Sequence, residues 1–81
     1  MGELLPLESV GCGEWAEVAD VVGEPSCVGR LAEMGVRNGS RVRMLQPGRP
    51  CLILIGGTRL SLRADWTTHI LVRPVLSEPR P

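Results

Sequence analysis

The stretch Cys51-Leu52-Ile53-Leu54-Ile55-Gly56-Gly57-Thr58-Arg59-Leu60-Ser61-Leu62-Arg63 decides how this chain folds. Two runs of alternating character flank a Gly-Gly pair, and glycine takes positive φ at both centres of a two-residue hairpin loop. Such a loop fixes the register: Ile55 faces Thr58, Leu54 faces Arg59, Ile53 faces Leu60, Leu52 faces Ser61 and Cys51 faces Leu62. Side chains alternate along a strand, so one face collects Cys51, Ile53, Ile55, Leu60 and Leu62. The other collects Leu52, Leu54, Arg59, Ser61 and Arg63. A slip of one residue would turn Arg59 and Arg63 into the core, so the pairing is strongly specified.

Working outward, Ser40 to Gln46 also alternates, with Val42 and Met44 against Arg41 and Arg43. Asn38-Gly39 supplies a turn before it and Pro47-Gly48-Arg49-Pro50 a loop after it. The period changes over Ser26 to Met34, where Cys27, Leu31 and Met34 fall at i, i+4 and i+7, the apolar stripe of a short helix. Ser26 is the expected N-cap, Gly35 the left-handed residue that ends the helix, and Val36 the apolar contact beyond it. Gly11-Cys12-Gly13 marks a turn, and Glu14 to Val22 reads as a strand stopped by Gly23 and Pro25. Leu4-Leu5-Pro6-Leu7 is an apolar lead-in. Downstream, Asp65 to His69 fits one helical turn, Ile70 to Val72 a final strand stopped by Pro74, and residues 74–81 a disordered tail. About five short strands with one helix predict a mainly β, small barrel spanning residues 1–73.

The whole chain has 81 residues, enough for one domain that buries about 60–65% of its unfolded surface. No apolar run approaches the ~20 residues that cross a bilayer, and Met1 to Val10 has no basic cluster of the signal-peptide kind. A cytoplasmic location is expected. Nine acidic residues balance nine basic ones, all of them arginine, which speaks against a nucleic-acid binder held by phosphate neutralisation. Cys12, Cys27 and Cys51 are odd in number and lack a CxxC spacing, so they read as reduced thiols.

At this point the order of motifs resembles the FeoA family, the ferrous iron transport protein A group. Arg30-Leu31-Ala32-Glu33-Met34-Gly35-Val36-Arg37-Asn38-Gly39 is similar to that family's RLxELGLxPG segment. Leu5-Pro6-Leu7, the strand from Gly13 to Val21, the Gly56 to Arg63 hairpin and the terminal Ile70-Leu71-Val72 match in order and spacing, over residues 4–73. The resemblance implies an SH3-like barrel that serves as a cytosolic accessory to the ferrous-iron transporter FeoB, binding the part that carries a GTP-binding domain. A related domain ends some metal-dependent repressors, but no helix-turn-helix is legible here. Departures are Asn38 where the family has proline, Thr67 in place of alanine, and Leu52 and Leu54 at hairpin positions commonly charged in relatives.

These readings put the candidate partner-binding residues at Leu52, Leu54, Arg59 and Trp66. Leu52 and Leu54 face outward by register. They are either covered by Leu4-Leu5-Pro6-Leu7 of the same chain or buried against a partner or in a homodimer. Arg59 and Arg63 flank them and suit carboxylates of a partner; as a solvated strand face they would carry no such role. Arg30, Arg37 and Arg49 are conceivable arginine fingers for a partner GTPase, with nothing to select one. Cys27 and Cys51 read as core thiols. Cys12, with His69, could at most form an adventitious metal site, since one His and scattered cysteines make no zinc signature. Trp15 and Trp66 are the only aromatics, too few for a proline-peptide groove or for base stacking. Trp66 otherwise reads as a lid over the barrel end. No phosphate loop or nucleophile–base constellation appears, so no enzyme, catalytic residue, cofactor or dedicated metal is expected. The rival readings are a nucleic-acid-binding small barrel and a homo-oligomeric metal-binding regulator.

Overall fold

The structure is a computed structural model that describes residues 4–63 and 70–75. The described residues form six strands: β1 (Leu5–Pro6), β2 (Trp15–Val21), β3 (Arg41–Gln46), β4 (Cys51–Ile55), β5 (Thr58–Leu62) and β6 (Ile70–Val75). They form one antiparallel sheet in the order β1-β6-β2-β3-β4-β5. A 3₁₀ turn (Leu7–Ser9) follows β1, and α1 (Pro25–Glu33) connects β2 to β3. The sheet coils around one core. Leu62 of β5, Val72 of β6 and Leu7 of the 3₁₀ turn belong to the same buried cluster, although β5 and β6 stand far apart in the strand order.

The hairpin has the predicted register in all five pairs, from Cys51 opposite Leu62 to Ile55 opposite Thr58. Gly56 and Gly57 take φ of +58° and +80°, as a turn matched to the strand twist requires. Cys51, Ile53, Ile55 and Leu62 are buried and Leu60 packs against them. Val42 and Met44 of β3 are buried too, while Arg43 is exposed.

Helix α1 has its N-cap two residues earlier than the sequence pattern suggests. Pro25 occupies the first turn, where its fixed φ suits the helix and its missing N–H costs nothing. Glu24 is therefore the N-cap, without a side-chain hydrogen bond, and Ser26 lies inside the helix rather than capping it. The other end is as expected. Gly35 has φ +96°; its N–H donates to the Ala32 carbonyl at 3.0 Å and that of Val36 to the Leu31 carbonyl at 2.8 Å. These two bonds make a Schellman motif, and the buried Leu31 and Val36 supply its apolar contact. Ser40 Oγ donates to the Gly35 carbonyl at 2.7 Å, which ties the helix end to the start of β3. Cys27 and Met34 pack against the core beside Leu31, so the predicted stripe is the buried face.

Two strand boundaries differ from expectation. Leu5–Pro6 is a sixth strand, pairing with Val72 and Leu71 of β6; two residues are too few to show alternation. β6 runs through Pro74 to Val75 rather than stopping at Val72. Among the described residues, β6 beyond Val72 has a strand partner on its β2 side alone, and proline is tolerated at such an edge. Of the tail expected over 74–81, Pro74 and Val75 are instead strand residues paired with β2, and the rest, like the predicted helical turn 65–69, lies outside the described residues.

Gly35→Ala is expected to cost about 1 kcal/mol, because alanine is strained at positive φ. Gly29→Ala is expected to stabilise by roughly 0.5–1 kcal/mol, since an added Cβ there meets nothing within 4 Å. Urea unfolding of both variants checks the opposite signs.

Candidate functional site

The outer face of the sheet is built by the same parity that fills the core. Trp15 pairs with Arg43, Arg43 with Leu54, and Leu54 with Arg59. One row thus crosses β2 to β5 as tryptophan, arginine, leucine, arginine. A second row holds Gln46, Leu52 and Ser61. Arg43 is fixed in place, its Nε donating to the Gly13 carbonyl at 3.1 Å and its guanidinium lying 5.9 Å from the Trp15 ring centroid. Such a cation–π contact contributes about 0.5–1 kcal/mol at an exposed site. A third row sets Glu17 between Arg41 and Arg73, and Glu17 pairs with Arg73 at 3.6 Å.

Of the four candidate contact residues, the structure brings three together. Leu54 and Arg59 are directly opposed, Leu52 stands two positions along, and Trp66 lies outside the described residues. The leucines are half-buried, not fully exposed as their outward parity suggests, and Arg59 is exposed. The expected cover from Leu4-Leu5-Pro6-Leu7 is not what flanks them in the sheet. That segment pairs with β6, Leu7 enters the core and Leu4 is 46% exposed. The strand neighbours of Leu54 are Arg43 and Arg59, whose aliphatic stems can lie along apolar surface.

Two features were missed by sequence reading. The stack of Trp15 and Arg43 depends on the register of β2 against β3, which no short turn sets. A cleft of about 570 Å³ between the end of α1 and the β4–β5 turn is lined by Glu33, Met34, Arg37, Arg41, Ile55 and Thr58, among others. The motif around Arg37 was visible, but not that the hairpin turn lines the same cleft. Arg30, Arg37 and Arg49 are all exposed and no two of them share this cleft.

The three cysteines are free and in different settings: Cys12 exposed, Cys27 half-buried and Cys51 buried. Cys12 Sγ donates to the Leu45 carbonyl at 3.2 Å, at the irregularity between Met44 and Gln46 where β3 shifts register against β4. Burial pushes the Cys51 thiol up, and the Glu8 carboxylate adds to this against a backbone hydrogen bond acting the other way. Among the described residues, no group of three or more His, Cys, Asp or Glu could hold a metal ion. No helix among them is long and apolar enough to cross a membrane.

A small coiled antiparallel sheet in this strand order, with one helix between its second and third strands, is the architecture of an SH3-like domain. The FeoA domain model matches residues 5–74, and the chain belongs to the FeoA family. FeoA protein from Chlorobium tepidum is similar at 27% identity and a TM-score of 0.82, over 93% of this chain and 74% of that one. FeoA of Stenotrophomonas maltophilia, solved with zinc and described as a prokaryotic SH3 domain protein, is 28% identical with a TM-score of 0.74, over 84% and 88%. A manganese-dependent transcriptional repressor shares the fold at 19% identity and a TM-score of 0.84, over 93% of this chain but 44% of its own. No curated protein matches the chain.

Iodoacetamide at neutral pH is expected to label Cys12 readily and Cys51 only on unfolding, as peptide mapping will show. Because folding raises the Cys51 thiol, the folded state holds that proton more firmly than the unfolded one. The associated stability is complete below the ordinary thiol value and is lost as pH rises through the folded value. Urea midpoints should therefore fall in the alkaline range, less steeply in Cys51→Ala.

Proposed function

We propose that this chain is a cytoplasmic accessory protein of ferrous iron uptake, which docks on the cytosolic GTP-binding region of a FeoB-type transporter and modulates it. Its role is binding, not catalysis. Membership of the FeoA family supports this, as does the description of the Stenotrophomonas maltophilia relative as a candidate activating factor for ferrous iron transport. The observation that carries the reading is the outer face of β4 and β5. There Leu52 and Leu54 are left half-buried beside an exposed Arg59.

The physical case rests on what the fold leaves unfinished. Fully burying a leucine contributes about 1.5–3 kcal/mol, so completing the burial of two half-covered ones yields roughly that much again. This is modest, and association carries its own entropic cost. A usable interface therefore needs further anchors. Arg59 is one, and Trp66 is proposed as another because it follows β5 closely in sequence.

The test is retention of the transporter, identified by mass spectrometry, on immobilised protein from a detergent extract of membranes. Leu52→Glu with Leu54→Glu is expected to lower the melting temperature, keep a cooperative transition and abolish retention. Failure of the wild-type chain to retain the transporter, or undiminished retention by the double variant, would sink the proposal.

A further inference from the structure

The zero net charge of the chain conceals a strong segregation. Six of its nine arginines, at 37, 41, 43, 49, 59 and 63, fall between residues 34 and 64, a stretch without a single Asp or Glu. Folding turns that stretch into β3, β4, β5 and their loops. The outer face therefore carries Arg41, Arg43 and Arg59 around the two leucines and no carboxylate from these three strands. The acidic neighbour in the sheet, Glu17 of β2, is engaged by Arg73. Arg41 also lines, together with Arg37, the cleft at the end of α1, so the basic surface runs from the hairpin face into that cleft. Among the described residues, Glu33 on the cleft's lining is the one opposing charge.

We infer that the partner surface covering this face is a protein segment that alternates carboxylates with aliphatic side chains, the carboxylates meeting Arg59 and Arg41. The inference rests on the docking reading above and deepens it by naming the partner's chemistry. Arginine suits this role because its planar guanidinium binds a carboxylate through two parallel hydrogen bonds. Arg43, held by Gly13 and Trp15, is already ordered, so binding through it loses little side-chain freedom. Arg43 and Arg59 stem from strands two apart, about 10 Å at ordinary strand spacing, with Leu54 between them. A polyphosphate chain would match the charge but not the aliphatic centre, and the Trp15 face that could stack a base is occupied by Arg43. A second copy meeting this face by two-fold symmetry would oppose arginine to arginine.

The experiment is an amide-resolved NMR titration of the full chain with four probes. These are the purified cytosolic GTP-binding domain of a FeoB-type transporter, acetyl-(Glu-Leu)₄-amide, its Lys-Leu counterpart, and a 20-base-pair DNA duplex. The transporter domain and the Glu-Leu peptide are expected to shift amides of β3 to β5, with affinity falling as salt rises, while the other two leave them unmoved. Arg41→Glu with Arg59→Glu should weaken both about ten-fold or more and flatten the salt dependence. Arg30→Glu, an exposed charge on α1, should change neither. The spectrum of each variant reports its own folding, and Arg59→Gln serves in place of a double variant that unfolds. Binding of the transporter domain at this face that ignores salt and charge reversal overturns the acidic chemistry but leaves the docking. Binding of the peptide without the domain leaves the chemistry and overturns the docking. Shifts of these amides by DNA, or by dilution of the protein alone, overturn the inference in favour of a nucleic acid or a second copy.

Discussion

Two glycines in succession, both at positive φ, set the parity of every residue from Cys51 to Leu62. Because a strand has a period of two, that one reversal decides which side chains are core and which are surface. Its effect does not stop at the hairpin. β3 pairs with β4 so that Val42 meets Ile55 and Met44 meets Ile53, and β2 pairs with β3 so that Ala16 meets Val42. The inward set is thus continued across four strands, and the outward row of Trp15, Arg43, Leu54 and Arg59 is its necessary complement. A core this small needs all of these aliphatics inside; the arginines are left outside as a consequence.

A coiled sheet of six strands still has ends to close, and α1 with its exit does much of that. The Schellman bonds turn the chain so that Val36 follows Leu31 into the core. From there the chain reaches β3 within five residues, held by Ser40 Oγ on the Gly35 carbonyl and by the Gly39 N–H on the Val18 carbonyl at 2.7 Å. Gly35 and Gly39, with φ of +96° and +92°, are where this tight path demands left-handed backbone. At the other end, Gly13 N–H donates to the Met44 carbonyl and Met44 N–H to the Glu14 carbonyl. Those bonds pin the turn before β2 to β3 and place Gly13 where it receives Arg43. Fold closure and the ordering of a surface arginine are therefore one construction.

How much of this was legible in the sequence follows from what is local. The hairpin register, the stripe of Cys27, Leu31 and Met34, and the Gly35 stop each depend on residues within a dozen positions, and each is found as read. The start of α1 was misjudged because a serine competed with the proline before it, and the fixed φ of Pro25 prevailed. β1 carries too little pattern to be seen, and Pro74 breaks a strand only where its missing donor would be needed. The burial of Leu52 and Leu54 was half right. Parity gave the direction they face, but the extent of cover depends on the long neighbouring side chains, and the pairing of β2 with β3 that brings Trp15 onto Arg43 has no short loop to announce it. The cleft beside Arg37 was illegible for the same reason, since it needs the helix end and the hairpin turn to meet.

The charge balance shows how a bulk property can be correct and still incomplete. Nine positive against nine negative residues weaken long-range attraction to a polyanion, since steering over distances beyond about 10 Å depends on the summed field. Docking is decided at shorter range. There, the absence of any carboxylate on β3, β4 and β5 leaves Arg41, Arg43 and Arg59 to be neutralised from outside, or by solvent. On the proposed docking, such a charge pattern weakens non-specific adhesion to nucleic acid while still allowing discrimination at contact. Neutral overall charge with arginines gathered on the β3–β5 face is thus a physical route to selective, reversible binding of an acidic surface.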